Sequence, residues 1–297
     1  MKILITGGTG FIGKKLCRFL LDKKHQLTVL SRHPKKVASL CGSSVRAINN
    51  INQLAAPDSF DAIINLAGEG IANARWTKKR KQQLLDSRIG TTKQLIAYIE
   101  SADKKPKVLI SGSAIGYYGN RGAIKLSEAS SAHEDFSHEL CEKWEAVAQQ
   151  AEDYGVRVCV IRTGLVIGDD GGFLKRLLPP FKLGLGGPMG DGTQWMSWIH
   201  RTDFIAIIDK LLESRVLQGI FNVTAPEPVT NAEFSQTLGK VLNRPVFLSI
   251  PAVVLKLLLG EMSELLLGGQ RVMPTKLEKA GFKFKFETLE QALRDVL

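Results

Sequence analysis

The residues with the clearest chemistry stand at the start of the chain, where Gly7, Gly8, Gly10 and Gly13 punctuate Thr6-Gly-Gly-Thr-Gly-Phe-Ile-Gly13. Glycines at this spacing let the backbone turn tightly, let a pyrophosphate approach without a Cβ in the way, and let a helix pack closely on a strand. The free N–H groups and dipole of that helix then favour the negative charge. The context agrees: Ile3, Leu4 and Ile5 form an apolar run suited to a parallel strand, and Lys14 to Lys24 carries Leu16, Phe19 and Leu20 at helical spacing. The turn therefore predicts a dinucleotide site built from Gly7, Thr9, Gly10, Phe11, Ile12 and Gly13.

A second chemical signal follows the next strand, Gln26 to Leu30. A dinucleotide fold reads the ribose 2′ position here, and an acidic residue binds a free hydroxyl. This chain has Ser31-Arg32-His33-Pro34-Lys35-Lys36, with a guanidinium and two ammonium groups and no carboxylate to repel a phosphate. Ser31 and Arg32 accordingly predict NADP(H) rather than NADH.

The elements that must position these groups alternate. Val45 to Ile48 reads as a third strand, Asp61 to Gly68 as a fourth, Lys107 to Ser111 as a fifth, Val156 to Arg162 as a sixth and Phe221 to Val223 as the last. Helical repeats span Gln82 to Glu100 and about Glu134 to Tyr154. Strands alternating with helices predict an α/β fold, a Rossmann-type doubly wound parallel sheet, with Leu66, Ala67 and Gly68 giving the cofactor a small-residue strand end. Glycine- and proline-rich loops from Gly164 onward mark a change of character. We expect residues 1–163 with about 198–225 to form the dinucleotide domain, and 164–197 with 226–297 a smaller mixed substrate-side domain. In the latter, Asn231 to Leu242 and Leu289 to Leu297 read as helices, Ile250 to Leu267 as a buried amphipathic helix, and Gly281 to Phe286 as a half-buried strand.

Composition narrows the classes. The 297 residues are 44% apolar and 23% charged, ordinary for a globular chain with a sizeable core. Cys17, Cys41, Cys141 and Cys159 form no CxxC pair and have no histidine at ligand spacing, which indicates neither a metal site nor a disulfide framework. The formal charge of +11 and the run Lys78-Lys79-Arg80-Lys81 are read as a solvated helix start, because no aromatic stacking pattern accompanies them to suggest nucleic acid. Ile250 to Leu267 is interrupted by Lys256, Glu261 and Glu264, too polar to span a bilayer, so no membrane contact is expected, and the missing leader pattern makes the cytoplasm the expected compartment.

Together TGGTGFIG, Asn65-Leu-Ala-Gly68, Ser111-Gly-Ser-Ala-Ile-Gly-Tyr-Tyr-Gly119, Ile161-Arg-Thr-Gly-Leu-Val-Ile-Gly168 and Trp198-Ile-His-Arg-Thr-Asp-Phe204 resemble an extended short-chain dehydrogenase/reductase. Within that superfamily the chain is similar to the "epimerase family protein" group, SulA-like or nucleoside-diphosphate-sugar-epimerase-like, which ends in a C-terminal domain of unknown function. Gly68-Glu-Gly70, Arg75-Trp76, Ser87-Arg88, Cys141-x-x-Trp144-Glu145, Gly190-Asp-Gly192 and Arg271-Val-Met-Pro274 carry this closer likeness. The resemblance adds Arg162 and Gly164 to the cofactor-binding set.

The resemblance also exposes a departure. Its relatives use a Tyr and a Lys four residues later, with a Ser on the preceding strand end; the Lys tunes the Tyr, which moves the proton. Here Ser137 stands where the Tyr belongs and Cys141 where the Lys belongs. Ser113 matches the usual serine, and Tyr117 and Tyr118 are the candidates to replace the missing phenol. Cys141 is expected to pack as a small hydrophobe, and His138 and His200 are proton carriers by type alone. Asp203 reads as a helix N-terminal charge and Arg201 as an anion contact. The resemblance thus implies an NADP(H)-binding oxidoreductase or epimerase-like enzyme acting on a small carbonyl or hydroxyl compound, nucleotide-sugar-like molecules included. The alternative is a catalytically weak NADPH-binding regulator or sensor. A homodimer is consistent with either.

Overall fold

Ile3, Leu4 and Ile5 are fully buried in β1 (Lys2–Thr6), the strand on which the topology turns. The computed structural model describes residues 1–54 and 58–297. From β1 the chain runs through α1 (Gly13–Asp22) to β2 (Gln26–Leu30), and through α2 (Val37–Cys41) to β3 (Arg46–Ile48), stepping outward on one side. It then returns to the other side of β1 as β4 (Ala62–Asn65). Next come α3 (Lys78–Leu85), a π-helical turn over Asp86–Gly90, α4 (Thr91–Ser101) and β5 (Val108–Ala114). The short β6 (Lys125–Leu126), α5 (Phe136–Gln149), β7 (Arg157–Thr163), β8 (Leu165–Ile167), α6 (Gly172–Lys182), β9 (Trp195–Met196), β10 (Trp198–His200), α7 (Arg201–Glu213) and β11 (Gly219–Val223) follow.

Seven strands form one sheet in the order β11-β7-β5-β4-β1-β2-β3, every pair parallel. This is the expected doubly wound fold. Its strand order reverses between β1 and β4, and such a fold receives ligands in the crevice at that point, beyond the carboxyl ends of the strands. Apolar clusters cover both faces: Leu16, Leu20, Phe204, Ile208 and Leu211 on one, Leu95, Ile99, Val147 and Ala151 on the other. Burial on both faces explains why the strands read as continuous apolar runs.

The remaining chain contains β12 (Val229–Thr230), α8 (Asn231–Leu242), α9 (Ala252–Leu259), α10 (Glu264–Leu267), β13 (Arg271–Val272), α11 (Thr275–Lys279) and α12 (Leu289–Val296). A separate core joins Leu174, Phe181, Trp198, Phe234, Leu238 and Leu293. Asp203, in the first turn of α7, accepts the backbone N–H groups of Lys285 at 2.9 Å and Phe286 at 3.0 Å, fastening the chain's last stretch to the sheet.

Three expectations change. The apolar stretch from Ile250 to Leu267 is two short helices broken by a 3₁₀ turn at Gly260–Ser263, and most of α9 faces solvent, with Leu255 its one buried residue. Gly260 has a φ of 61°, which ends α9. Gly281 to Phe286 keeps the alternating burial but forms no strand among the described residues, because its backbone N–H groups at Lys285 and Phe286 go to Asp203 instead of a neighbouring strand. The helix expected from Gln82 begins earlier, at Lys78, where the Thr77 hydroxyl accepts the N–H of Arg80 and caps it.

Candidate functional site

The glycine turn sits at the switch point. Gly7 has a φ of +71°, and a Cβ there would come within 2.4 Å of the Leu66 carbonyl oxygen; one on Gly13 would meet the Gly7 oxygen at 2.2 Å. At Gly10 an added Cβ would meet only the Gly7 oxygen, at 3.2 Å, so the turn keeps an open cradle there. Ile12 precedes helix α1 and gives it no side-chain cap; the N–H groups of Lys14 and Lys15 turn back to the Gly10 and Ile12 carbonyls at 3.1 Å each, and the positive end of the helix dipole faces the turn. These features fit a pyrophosphate. Beneath the turn a buried polar chain fixes the two strand ends: Thr6 donates to Asn65 at 2.7 Å, Asn65 donates to Thr92 at 2.9 Å, and the N–H of Ala67 donates to Thr6 at 3.1 Å.

At the end of β2, the Ser31 hydroxyl accepts the N–H of His33 at 3.1 Å, and Arg32 projects outward with its side chain 80% exposed. Its guanidinium pairs with Glu69 at 2.7 Å, and Arg80 takes the other oxygen of that carboxylate at 3.0 Å. Arg32 first and Arg80 second hold the Glu69 carboxyl below the usual carboxylate range. Part of the basic run at residues 78–81 is therefore spent on Glu69. Lys81 similarly pairs with Glu261 at 2.6 Å.

The catalytic candidates meet at the carboxyl end of β5. Ser113 donates its hydroxyl proton to Glu145 Oε1 at 2.5 Å, and Arg162 reaches across from β7 with Nε at 2.9 Å from Oε1 and Nη2 at 2.7 Å from Oε2. The Glu145–Arg162 pair is buried, with side chains 5% and 2% exposed. Burial alone would lower the Arg162 pKa, but the hydrogen bonds and charge of Glu145 outweigh it and raise it. The guanidinium stacks 3.2 Å from the ring centroid of Tyr117, fixing the plane of that ring, which also meets His138 edge-on at 4.9 Å. Tyr118 is fully buried, donates its hydroxyl proton to Asn222 at 2.7 Å, and is pushed up in pKa chiefly by burial.

Ser137 packs against Gly116, whose added Cβ would lie 3.0 Å from the Ser137 Cβ. Cys141 is buried and directs its thiol at the Ala114 carbonyl, 3.6 Å away; burial pushes it up to about 11, which keeps it a neutral thiol. Trp144 donates to Thr92 at 3.0 Å and lies where a Cβ on Gly112 would touch it at 2.9 Å, packed into the same strand end. A Cβ on Gly164 would strike the Ser197 carbonyl at 2.5 Å, so this glycine serves close packing of β7 and the segment before β10.

Beyond the turn, Arg201 grips both Asp169 and Asp170, and Lys14 of α1 holds Asp170 at 2.6 Å. Burial raises the Asp170 pKa, but the contacts of Lys14 and Arg201 prevail and bring it to about 2. Gly168, Gly171 and Gly172 press on the ring of Phe11, where added Cβ atoms would stand 2.8, 2.7 and 3.0 Å from it. The anion that Arg201 contacts is thus a pair of the chain's own carboxylates. His200 caps α7, its Nδ1 accepting the N–H of Thr202 at 3.2 Å, a structural place distant in role from Ser113.

Sequence reasoning set Arg162 on the cofactor and saw Glu145 only as part of a motif. The available signal was Arg162 itself: a guanidinium within the apolar run of β7 demands a buried anion, and α5 supplies few. Among the described residues no group of three or more His, Cys, Asp or Glu side chains is placed to hold a metal ion.

Residues 3–224 match the NAD dependent epimerase/dehydratase family. The chain belongs to that family. Residues 250–296 match a domain of unknown function, DUF1731, in agreement with the C-terminal domain implied by the motifs. An Arabidopsis thaliana relative, "Epimerase family protein SDR39U1 homolog, chloroplastic", is 37% identical across 100% of this chain and 87% of its own length. The Bacillus subtilis "Epimerase family protein YfhF" is likewise 37% identical, over 100% of this chain and 98% of that one. The crystal structure of human epimerase family protein SDR39U1 (isoform 2) with NADPH superposes with a TM-score of 0.91 at 37% identity, covering 100% of this chain and 99% of that one. A UDP-galactose 4-epimerase at 17% identity and a TM-score of 0.76 shares the fold.

Proposed function

We propose that this epimerase-family chain binds NADP(H) at the glycine turn and moves a proton at the oxygen of a small carbonyl or hydroxyl substrate, nucleotide-sugar-like molecules included. The observation that carries the reading is the Ser113–Glu145–Arg162 chain at the carboxyl end of β5, beside Tyr117. The open cradle at Gly10, the uncapped α1 and the NADPH of the human relative support the cofactor. Gly7, Thr9, Gly10, Phe11, Ile12 and Gly13 would hold the pyrophosphate, Leu66, Ala67 and Gly68 would flank it, and Ser31 and Arg32 would meet the 2′-phosphate. When bound, the dinucleotide supplies or accepts a hydride.

The chain's own residues handle the proton. With its hydrogen directed at Glu145, the Ser113 oxygen offers lone pairs to a substrate hydroxyl. As that hydroxyl gives its proton to Ser113 Oγ, the serine proton passes to Glu145 Oε1, and Arg162 holds the carboxylate in place throughout. Tyr117, with its ring held by Arg162, presents its phenol to the same space as a proton donor in the opposite direction. Tyr118, its hydroxyl bound by Asn222, supports the site from within the core. Residues 164–197 and 226–297 close it from the substrate side.

A sensor reading draws on Ser137 and Cys141, which put a neutral hydroxyl and a neutral thiol where relatives carry a phenol and an ammonium. One assay separates the two. Purified protein is given NADPH or NADP with a panel of carbonyl and hydroxyl compounds that includes nucleotide sugars, alongside the Ser113→Ala and Tyr117→Phe variants. Substrate-dependent turnover that collapses in Ser113→Ala supports the enzyme; tight NADPH binding with no turnover across the panel favours the sensor.

A further inference from the structure

Of the thirteen large apolar residues exposed among the described residues, nine lie in just two segments, 183–185 and 247–258. Leu183, Phe247, Val253 and Leu257 are each more than 70% exposed. The segments form one surface. Arg244 donates to the Lys182 carbonyl at 2.9 Å, the N–H of Ile250 to the Pro188 carbonyl at 2.9 Å, and Gly187 lies directly against the Leu248 carbonyl. Helix α9 continues the surface. It buries Leu255 and turns Val253, Val254, Leu257 and Leu258 outward, while Arg75 binds the Leu257 and Leu258 carbonyls at 3.1 and 2.5 Å and fixes that orientation.

Charge decides what such a surface fits. Residues 171–190 and 234–260 contain six Lys or Arg and no Asp or Glu. Lys182, Arg244 and Lys256 are exposed within the patch and, among the described residues, make no ion pair. Contiguous apolar surface with the unpaired cations Lys182, Arg244 and Lys256 around it is the combination that seats a chain on an anionic bilayer, with leucine and phenylalanine among the acyl boundary and basic side chains at the phosphates; Lys240 and the neighbouring Glu261 are already paired, with Glu290 and Lys81.

We propose that the surface formed by the 183–185 turn, the 247–250 segment and α9 docks on an anionic lipid membrane. No helix of the described residues is long and apolar enough to cross a membrane, and lying on a bilayer requires none. The expectation of no membrane contact considered spanning alone. None of the hydrogen bonds that build this surface involves Ser113, Glu145, Arg162 or Tyr117, so its docking does not depend on the reading of that site.

The test is flotation of the full chain with vesicles of equal parts phosphatidylglycerol and phosphatidylcholine, against vesicles of phosphatidylcholine alone. The proposal expects capture by the anionic vesicles, weakened at least roughly tenfold by Lys182→Glu with Lys256→Glu, and comparably by high salt. Leu257→Ser with Leu258→Ser, at exposed positions, is expected to abolish capture while leaving the circular dichroism spectrum and NADPH binding unchanged. Equal capture by both vesicle types, or none by either, overturns it. Light scattering that reveals a dimer which Leu257→Ser with Leu258→Ser dissociates, without vesicle capture, assigns the face to a second copy and overturns it as well.

Discussion

Ser113 and Arg162 share one carboxylate: the serine reaches Glu145 Oε1 at 2.5 Å, and the guanidinium spans both its oxygens at 2.9 and 2.7 Å. The three residues come from β5, α5 and β7, so a single anion ties the proton-handling group to the core. The roles separate on mutation. Removing one member of a buried ion pair leaves the other charge uncompensated, and Glu145→Ala or Arg162→Ala should each cost about 3–5 kcal/mol. Ser113→Ala removes one hydrogen bond and should cost about 1 kcal/mol. Urea unfolding midpoints check this; the double variant Glu145→Leu with Arg162→Met should recover most of the loss.

Arg32 spends its charge on Glu69 at 2.7 Å, and an incoming 2′-phosphate would take over that contact. Arg32→Glu should weaken NADPH by about ten- to a hundredfold, the loss of one charge-assisted contact, and change NADH little. Glu69→Gln should move NADPH the other way, since it frees the guanidinium. Fluorescence titration of both cofactors decides it, and equal affinities before and after would remove Arg32 from cofactor choice.

The glycine turn makes a steric prediction. In Gly13→Ala the new Cβ has 2.2 Å of room before the Gly7 oxygen, whereas Gly90 has nothing within 4 Å. NADPH binding should be lost in Gly13→Ala and retained in Gly90→Ala, with isothermal calorimetry as the readout.

His200 sets an acid limit. Burial, opposed by Asp295 3.3 Å away, lowers its pKa from 6.5 to about 4. The folded chain therefore takes this proton less readily than the unfolded one, so stability is complete above pH 6.5 and falls as pH drops toward 4, by about 3 kcal/mol. His200→Asn keeps an acceptor for the Thr202 N–H and should flatten that fall, measured as thermal midpoints across the range.

The sheet was legible because its central strands are buried on both faces, so Ile3 to Ile5 or Val158 to Ile161 can read only as core, whereas the edge strand β3 buries only Ile48. The glycine turn was legible because backbone contact, at Gly7 and Gly13, excludes every other residue. Elsewhere the pattern said less than the packing. Apolar residues at helical spacing in α9 could not reveal that nothing among the described residues covers them, and the alternation before Phe286 could not reveal that Asp203 takes the backbone bonds a strand partner would use. Glu145 was missed as a working residue because a glutamate on a helix ordinarily faces water; its burial is dictated by Arg162, on the strand that follows.

Asp203 also has a mechanical meaning. It stands at the start of α7, against the sheet, and holds the backbone just ahead of α12, whose Leu289 and Leu293 complete the second core. The segment leading into α12 is thereby pinned by a carboxylate set against the sheet. Neither the sheet nor the second core can come apart without loosening this fastening, so the molecule should melt as one cooperative unit, and damage to α12 should be felt at the glycine turn.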